Sequence, residues 1–339
     1  MEPLLGGAAP KDLDPLRFYV LGLFLCLTTL QCVLWFTFSS ASTPGVAEYY
    51  GWSTRGKSFA DARLDELLNY GAIGGVLALP FATRLLSEPG GLRLSLRVAA
   101  ALELSCCVVR LLPSWLPLSD SLAWYLLSGA QLLNAFAGPL MMGSCSMCSA
   151  TWFPPKHRAT ATAVAYCGGN CGAMLGFALG PLVIKNQAAN VPRLLELELM
   201  LAAVLAFAAF AYLPVRSRCV VSAAVSVPES GIRCAACYCL VKPCVPVLRL
   251  TVPNCVRAST REWLRRLHAT WSNRPLLVIA LITGVEAGVS TAWSALIPQQ
   301  VAPPRYSATT AATLGVLNSA GMLAGNCSSC CCSCSCCSY

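Results

Sequence analysis

The sequence predicts an all-α membrane protein, a bundle of membrane-spanning helices. Three observations point there. The chain of 339 residues is 56% hydrophobic and 12% charged, with a mean hydropathy of +0.61, whereas soluble domains carry roughly 25% charged residues. Its apolar residues come in blocks of roughly 20, the length a helix needs to cross hydrocarbon about 30 Å thick. Short polar loops and one long basic segment separate the blocks. Helices follow because hydrocarbon offers no water to unpaired backbone groups. A soluble fold this apolar would expose large sticky patches.

About eight spans are expected, near Phe18–Phe38, Leu67–Leu86, Leu92–Leu112, Leu122–Phe153, Ala159–Ile184, Leu195–Val215, Leu276–Val301 and Ala308–Gly325. The first is too long for a signal peptide and lacks a small-residue cleavage site. With the N-terminus in the cytosol and sides alternating, cytosolic segments hold 17 of the 24 Lys and Arg residues, ten of them between Arg216 and Arg274. The positive-inside bias favours this orientation, although long loops count for less, and the remaining short loops split seven to six. The net charge of +9 comes from that loop, so it implies no nucleic-acid partner. The partners expected are a small-molecule substrate and the lipid bilayer.

The order is six spans, a basic linker, then further spans. This divides the chain into a six-helix half (1–215), a cytosolic linker (216–273), the start of a second half (274–325) and a cysteine-rich tail (326–339). The major facilitator superfamily is built from two six-helix halves. The expectation is a major facilitator-type helix bundle: an N-terminal half plus about two helices of the second, shortened at its C-terminal end.

Particular residues carry a closer resemblance. The segment Trp152-Phe153-Pro154-Pro155-Lys156-His157-Arg158-Ala159-Thr160-Ala161-Thr162-Ala163 follows the fourth span, and Gly129-Ala130-Gln131-Leu132-Leu133-Asn134-Ala135-Phe136-Ala137-Gly138-Pro139 lies in it. Together with Gln31-Cys32-Val33-Leu34-Trp35-Phe36-Thr37, Tyr50-Gly51-Trp52-Ser53, Val109-Arg110-Leu111-Leu112-Pro113 and Ala292-Trp293-Ser294-Ala295-Leu296, they resemble the feline leukemia virus subgroup C receptor family of facilitators. The resemblance implies a transporter working by alternating access on flat or cationic solutes such as vitamin B6-type compounds, choline or haem. It also implies a substrate cavity at Trp35 and Asn170, with Gln131, Thr291 and Trp293 as further contacts; Thr291 falls where the family has an aromatic. The loop Glu88-Pro89-Gly90-Gly91-Leu92-Arg93 departs from the family's Asp-then-Gly-Leu-Arg. Glu88, Arg93 and Arg158 are gating candidates, and an ordinary polar turn is the other reading of that loop. A member of the family with a similar Pro-Leu-Leu-Gly start sits on lysosomal membranes. Pro3-Leu4-Leu5-Gly6 therefore points to an endolysosomal membrane, with the plasma membrane as the alternative.

Polar groups inside spans are costly in lipid and are functional candidates. Glu286 in the seventh span and Glu103 in the third are coupling candidates, or structural acids hydrogen-bonded to neighbouring helices. Arg110, seven residues beyond Glu103 and so about 10 Å along one helix face, either joins them or snorkels from a helix end. Gly168, Gly172, Gly176 and Gly180, spaced by four, form a smooth stripe for close helix packing, which also suits sliding. Pro181 kinks or ends that helix. Asn170, off this stripe, and Trp35 in the first span read as cavity residues, the indole able to bind an ammonium or a flat ring; Trp35 also reads as a lipid or interface tryptophan.

Six cysteines lie between 219 and 255 and seven in the tail. They read as a soft-metal site, as palmitoylation sites, or as translated intron or shifted frame, which their isolation favours. Cys234 and Cys237 form one dyad without a spaced partner, short of a zinc site. No nucleophile elbow, phosphate loop or metalloprotease motif is present, so neither an enzyme nor a cofactor is expected. The alternatives to a transporter are a membrane scaffold or receptor that does not transport, and a non-functional truncated gene product.

Overall fold

A computed structural model describes residues 15–38, 43–88, 90–185 and 187–213, together with scattered positions and short helical runs between 264 and 324. Glu286, Thr291, Trp293 and the cysteine-rich tail lie outside the described residues, as does most of the basic linker. The helices are α1 (Leu16–Phe36), α2 (Thr43–Tyr49), α3 (Lys57–Leu86), α4 (Gly91–Trp115), α5 (Asp120–Trp152), α6 (Arg158–Leu179) and α7 (Val191–Tyr212). No strand occurs among the described residues. The chain is an all-α membrane helix bundle, and the long helices fall on the first six expected spans.

Two departures have simple causes. Helix α3 starts at Lys57 rather than near Leu67; its first turns carry Asp61, Arg63, Asp65 and Glu66, so hydropathy excludes a polar stretch that is nonetheless helical. The short α2 lies in the connection between α1 and α3 and is too brief for a periodic signal. By length and composition, α1, the stretch Pro155–Ile184 and the stretch Ala188–Tyr212 are apolar enough to cross a membrane. Helices α3, α4 and α5 dilute their hydropathy with polar residues that face inward, among them Glu103, Arg110, Gln131 and Asn134.

Helix α1 is central: it packs on α6 and α5, while α4 lies against α5 and α7, and α3 against α5. The glycine stripe of α6 makes the α1 contact. A Cβ added at Gly168 would lie 2.9 Å from the Leu25 carbonyl oxygen, and one at Gly176 2.7 Å from the Phe36 Cβ. One at Gly172 would run into the Thr29 carbonyl oxygen. The backbones therefore meet directly, as small-residue helix interfaces permit. Beyond Gly176 the helix widens into a π-helical turn at Gly180–Ile184, which contains Pro181, and it stops at Lys185 with φ of +50°. That is the ending expected where a proline removes a backbone donor.

Both ends of the bundle are tied. At the end that carries the α3–α4 turn, Arg97 donates to the Ala209 and Phe210 carbonyls at 3.3 and 2.9 Å, and the Tyr19 hydroxyl donates to Ala208 O at 3.1 Å. The two Arg97 bonds satisfy open carbonyls of the last turn of α7, and the Tyr19 bond ties α1 to α7 just before it. At the other end Trp52, Leu64, Trp124, Leu127, Ile184 and Val191 are among the residues of a second apolar core. Tyr50 stacks on Trp52 at 5.1 Å, and Trp52 meets Trp124 edge-on at 5.8 Å. Burial, reinforced by Tyr49, pushes the Tyr50 hydroxyl above the ordinary tyrosine range. Outward faces are apolar too: Val76, Leu77 and Phe81 on α3, and Val204, Phe207 and Phe210 on α7, are exposed. Such patches suit lipid or a further helical layer.

Substitution of Gly172 by Ala should lower the stability of the purified protein by about 1–3 kcal/mol, the usual cost of overpacking. The glycine at 129, around which an added Cβ meets nothing within 4 Å, should by contrast tolerate alanine or gain up to about 1 kcal/mol. Unfolding of both variants in detergent, followed by circular dichroism, checks the pair.

Candidate functional site

The side chain of Trp35 is seated by α3. Its indole Nε1 donates to the Leu68 carbonyl at 3.0 Å, and its ring occupies the space that a Cβ at Gly71 would need. Phe36 stacks beside it at 5.3 Å and meets Phe177 of α6 at 4.8 Å. Trp35, Ala173 and Val316 are half-buried around the cluster of Phe36, Leu68 and Phe177. Asn170 is half-buried one helical turn before Ala173, on the face of α6 that reaches this cluster. The indole N–H is thus satisfied by protein while part of the ring stays open.

A second polar site lies deeper, between α1, α4, α5 and α7. Arg110 is completely buried and forms an ion pair with Glu198 at 3.3 Å. Its other terminal nitrogen donates to the Leu34 carbonyl and to the Gln131 amide oxygen. Gln131 Nε2 in turn donates to the Leu67 carbonyl at 3.3 Å, which brings in α3. The Thr37 hydroxyl lies within hydrogen-bonding reach of Glu198 Oε1 and of Val33 O. The Arg110 guanidinium also sits 5.0 Å from the Phe38 ring centre. Arg110 therefore does not snorkel: with nothing exposed, its charge is neutralised inside the bundle. Gln131 is 2% exposed and its amide is engaged at both ends. Sequence reasoning did not single out Glu198. The run Leu194-Leu195-Glu196-Leu197-Glu198-Leu199 placed it at the edge of the sixth span, where an acid is easily assigned to a loop.

Glu103, near the middle of α4, is also fully buried, but both carboxylate oxygens lack a hydrogen-bond partner. Asn134 of α5 donates from Nδ2 to the Gln31 carbonyl at 3.1 Å, while its Oδ1 is likewise unpartnered. The structure does not bring Glu103 to Arg110, in keeping with their separation along the helix.

The gating candidates occupy the α3–α4 and α5–α6 turns. Glu88 pairs with Arg84 of α3 at 3.1 Å, and its carbonyl accepts from Gly91 N at 2.8 Å across Gly90, whose φ of +74° suits glycine. Arg93 forms no ion pair with it, and its Nε is buried without a partner. Arg158 donates from Nε to the Phe153 carbonyl at 3.2 Å and closes the α5–α6 turn. No cluster of metal-ligating side chains occurs among the described residues.

Comparison with known proteins agrees with this architecture. No family model matches the chain. It is 33% identical over 190 residues to a solute carrier family 49 member 4 homolog of Xenopus laevis, covering 54% of this chain and 38% of that protein. It is 25% identical over 176 residues to solute carrier family 49 member A3 of Xenopus tropicalis, covering 50% and 34%. It is 30% identical over 190 residues to the choline/ethanolamine transporter FLVCR1 of Felis catus, covering 55% and 31%. The matched stretch thus spans under two fifths of each relative's length. These relatives are named as solute carriers and a transporter rather than as enzymes, which agrees with the membrane helix bundle described above. Over about half of its length the chain is thus similar to members of solute carrier family 49 and to a choline/ethanolamine transporter.

Proposed function

We propose that this chain carries the substrate-binding half of an alternating-access transporter for a small organic solute that is flat or cationic, such as choline or a vitamin B6-type compound. The observation that carries the reading is the seat of Trp35. Its N–H is bonded at 3.0 Å and its ring rests where Gly71 lacks a side chain, so the half-buried indole is held in place, and in this reading its π-system meets the solute's ammonium group or aromatic ring. Asn170, half-buried and without a side-chain hydrogen bond among the described residues, supplies an amide on the neighbouring helix. A relative whose name states choline and ethanolamine transport supports the solute class.

In this reading residues 1–215 form the N-terminal half, 216–273 the cytosolic linker and 274–325 the start of the second half. Thr291 and Trp293 would complete the cavity, and Glu286 would supply a protonatable coupling group. Glu88, Arg93 and Arg158 would tune the cytosolic turns during rocking. Arg110 and Gln131 hold helices in place rather than meeting the solute, because their polar atoms face one another.

Two experiments test the proposal. With radiolabelled choline and pyridoxine as probes in vesicles containing the full chain, Trp35→Ala should abolish uptake. Trp35→Phe should retain part of it, and Gly71→Ala should reduce it by displacing the indole. Uptake equal to wild type in all three variants would contradict the assignment. For location, a tagged chain should sit on endolysosomal membranes and move to the cell surface when Leu4 and Leu5 are both changed to Ala. Surface staining that the double change leaves as it was would contradict that.

A further inference from the structure

The junction of α1, α4 and α5 holds polar atoms that neither the cavity nor the Arg110 network uses. Glu103 is 0% exposed and both its oxygens are unpartnered; Asn134 is 2% exposed and its Oδ1 is unpartnered. The two residues meet the same surroundings. The Cys106 thiol, one turn beyond Glu103 on α4, lies close to the Asn134 backbone. Cys32 of α1 lies near Glu103 as well, and its thiol donates to Gln31 Oε1 at 3.4 Å. Asn134 reaches the Gln31 carbonyl from the other side.

The geometry points to Glu103 as a proton-carrying site, occluded here as the neutral acid and opened to water past Cys32 when α6 moves along α1. An ionised carboxylate with neither an ion partner nor a hydrogen bond is far costlier in an apolar interior than the protonated group. The groups around it supply no counter-charge. Cys32 faces it from α1, Cys106 and Cys107 stand on its own helix, and α5 presents the neutral Asn134. On the α7 side Leu199, Ala202 and Leu205 pack into the adjoining apolar cluster. The nearest charges, Arg110 on α4 and Glu198 on α7, neutralise each other.

The chemistry is a proton transfer: a hydronium or a water-borne proton adds to a Glu103 oxygen when the junction is open, and returns to water when it opens to the other side. Access runs past Cys32 and Gln31. A Cβ at Gly169 of α6 would lie 3.7 Å from Cys32 Sγ, and one at Gly138 of α5 would lie 3.4 Å from Gln31 Nε2. The thiol and the amide thus reach the faces of α6 and α5 through glycine gaps, toward the helices that carry Asn170 and Gln131. In the transporter reading, on which the coupling role rests, this adds a proton site within the N-terminal half that is separate from Glu286.

Infrared difference spectroscopy of the full chain in lipid is the test, since it reads the carboxyl directly and needs no transported solute. The wild type should show a carboxylic-acid C=O band that shifts in D2O and is missing from Glu103→Gln. Glu103→Asp should restore an acid band. If the wild type shows no such band, if the band survives in Glu103→Gln, or if it never exchanges with D2O, the site is not a proton carrier. A carboxylate band that sodium or potassium shifts would equally overturn it, in favour of a cation site. In vesicles, uptake of radiolabelled choline by wild type should respond to an imposed pH gradient, and uptake by Glu103→Gln should not. A wild type that shows the exchangeable acid band but takes up no choline would refute the solute reading while leaving the proton site standing.

Discussion

One buried guanidinium constrains this bundle more than any other group. Arg110 must find a counter-charge and several hydrogen-bond acceptors away from water, because an unpaired charge in the interior costs several kcal/mol. Those partners are Glu198 on α7, Gln131 on α5, and Leu34 and Thr37 at the end of α1, with Leu67 of α3 added through Gln131. A single side chain from α4 thereby fixes the relative register of every long helix except α6. The pair tolerates little displacement, since each donor lost leaves a buried polar atom unsatisfied.

Helix α6 is held differently. Its contact with α1 is a seam of glycines against backbone and small atoms, with no ion pair among the described contacts. Such a seam is close but smooth, so its resistance to sliding comes from shape alone. The bundle thus combines a pinned block, α1 with α3, α4, α5 and α7, and a smooth neighbour, α6. Movement of α6 along α1 would leave the Arg110 network in place, since none of its partners lies on α6.

Much of the architecture was legible in the sequence because hydrocarbon imposes length and apolarity on each span. The six long helices, the proline that ends α6 and the role of its glycines all follow from that constraint and from spacing. What hydropathy could not reveal is which polar residues meet. Glu103 and Arg110 stand on one helix and invite a comparison with each other, yet one is partnered by α7 and the other by nothing. Glu198 escaped notice because averaging over a span hides one acid among leucines. Gln131 and Asn134 were visible as motif residues, but whether an amide faces a cavity or a neighbouring helix depends on rotation about the axis, which short apolar stretches do not specify. The Trp35 seat depends on Gly71, a glycine with no special spacing, and is found only in three dimensions.

The measurement that bears most directly on this account is a double-mutant cycle at Arg110 and Glu198, read as unfolding of the full chain in detergent. Arg110→Met and Glu198→Gln should each destabilise by about 3–5 kcal/mol, because each strands a buried polar group. The double variant should be markedly more stable than the sum of the two losses predicts, with a coupling of roughly 1–3 kcal/mol. Additive losses, or single variants as stable as wild type, would mean that the pair does not hold the bundle.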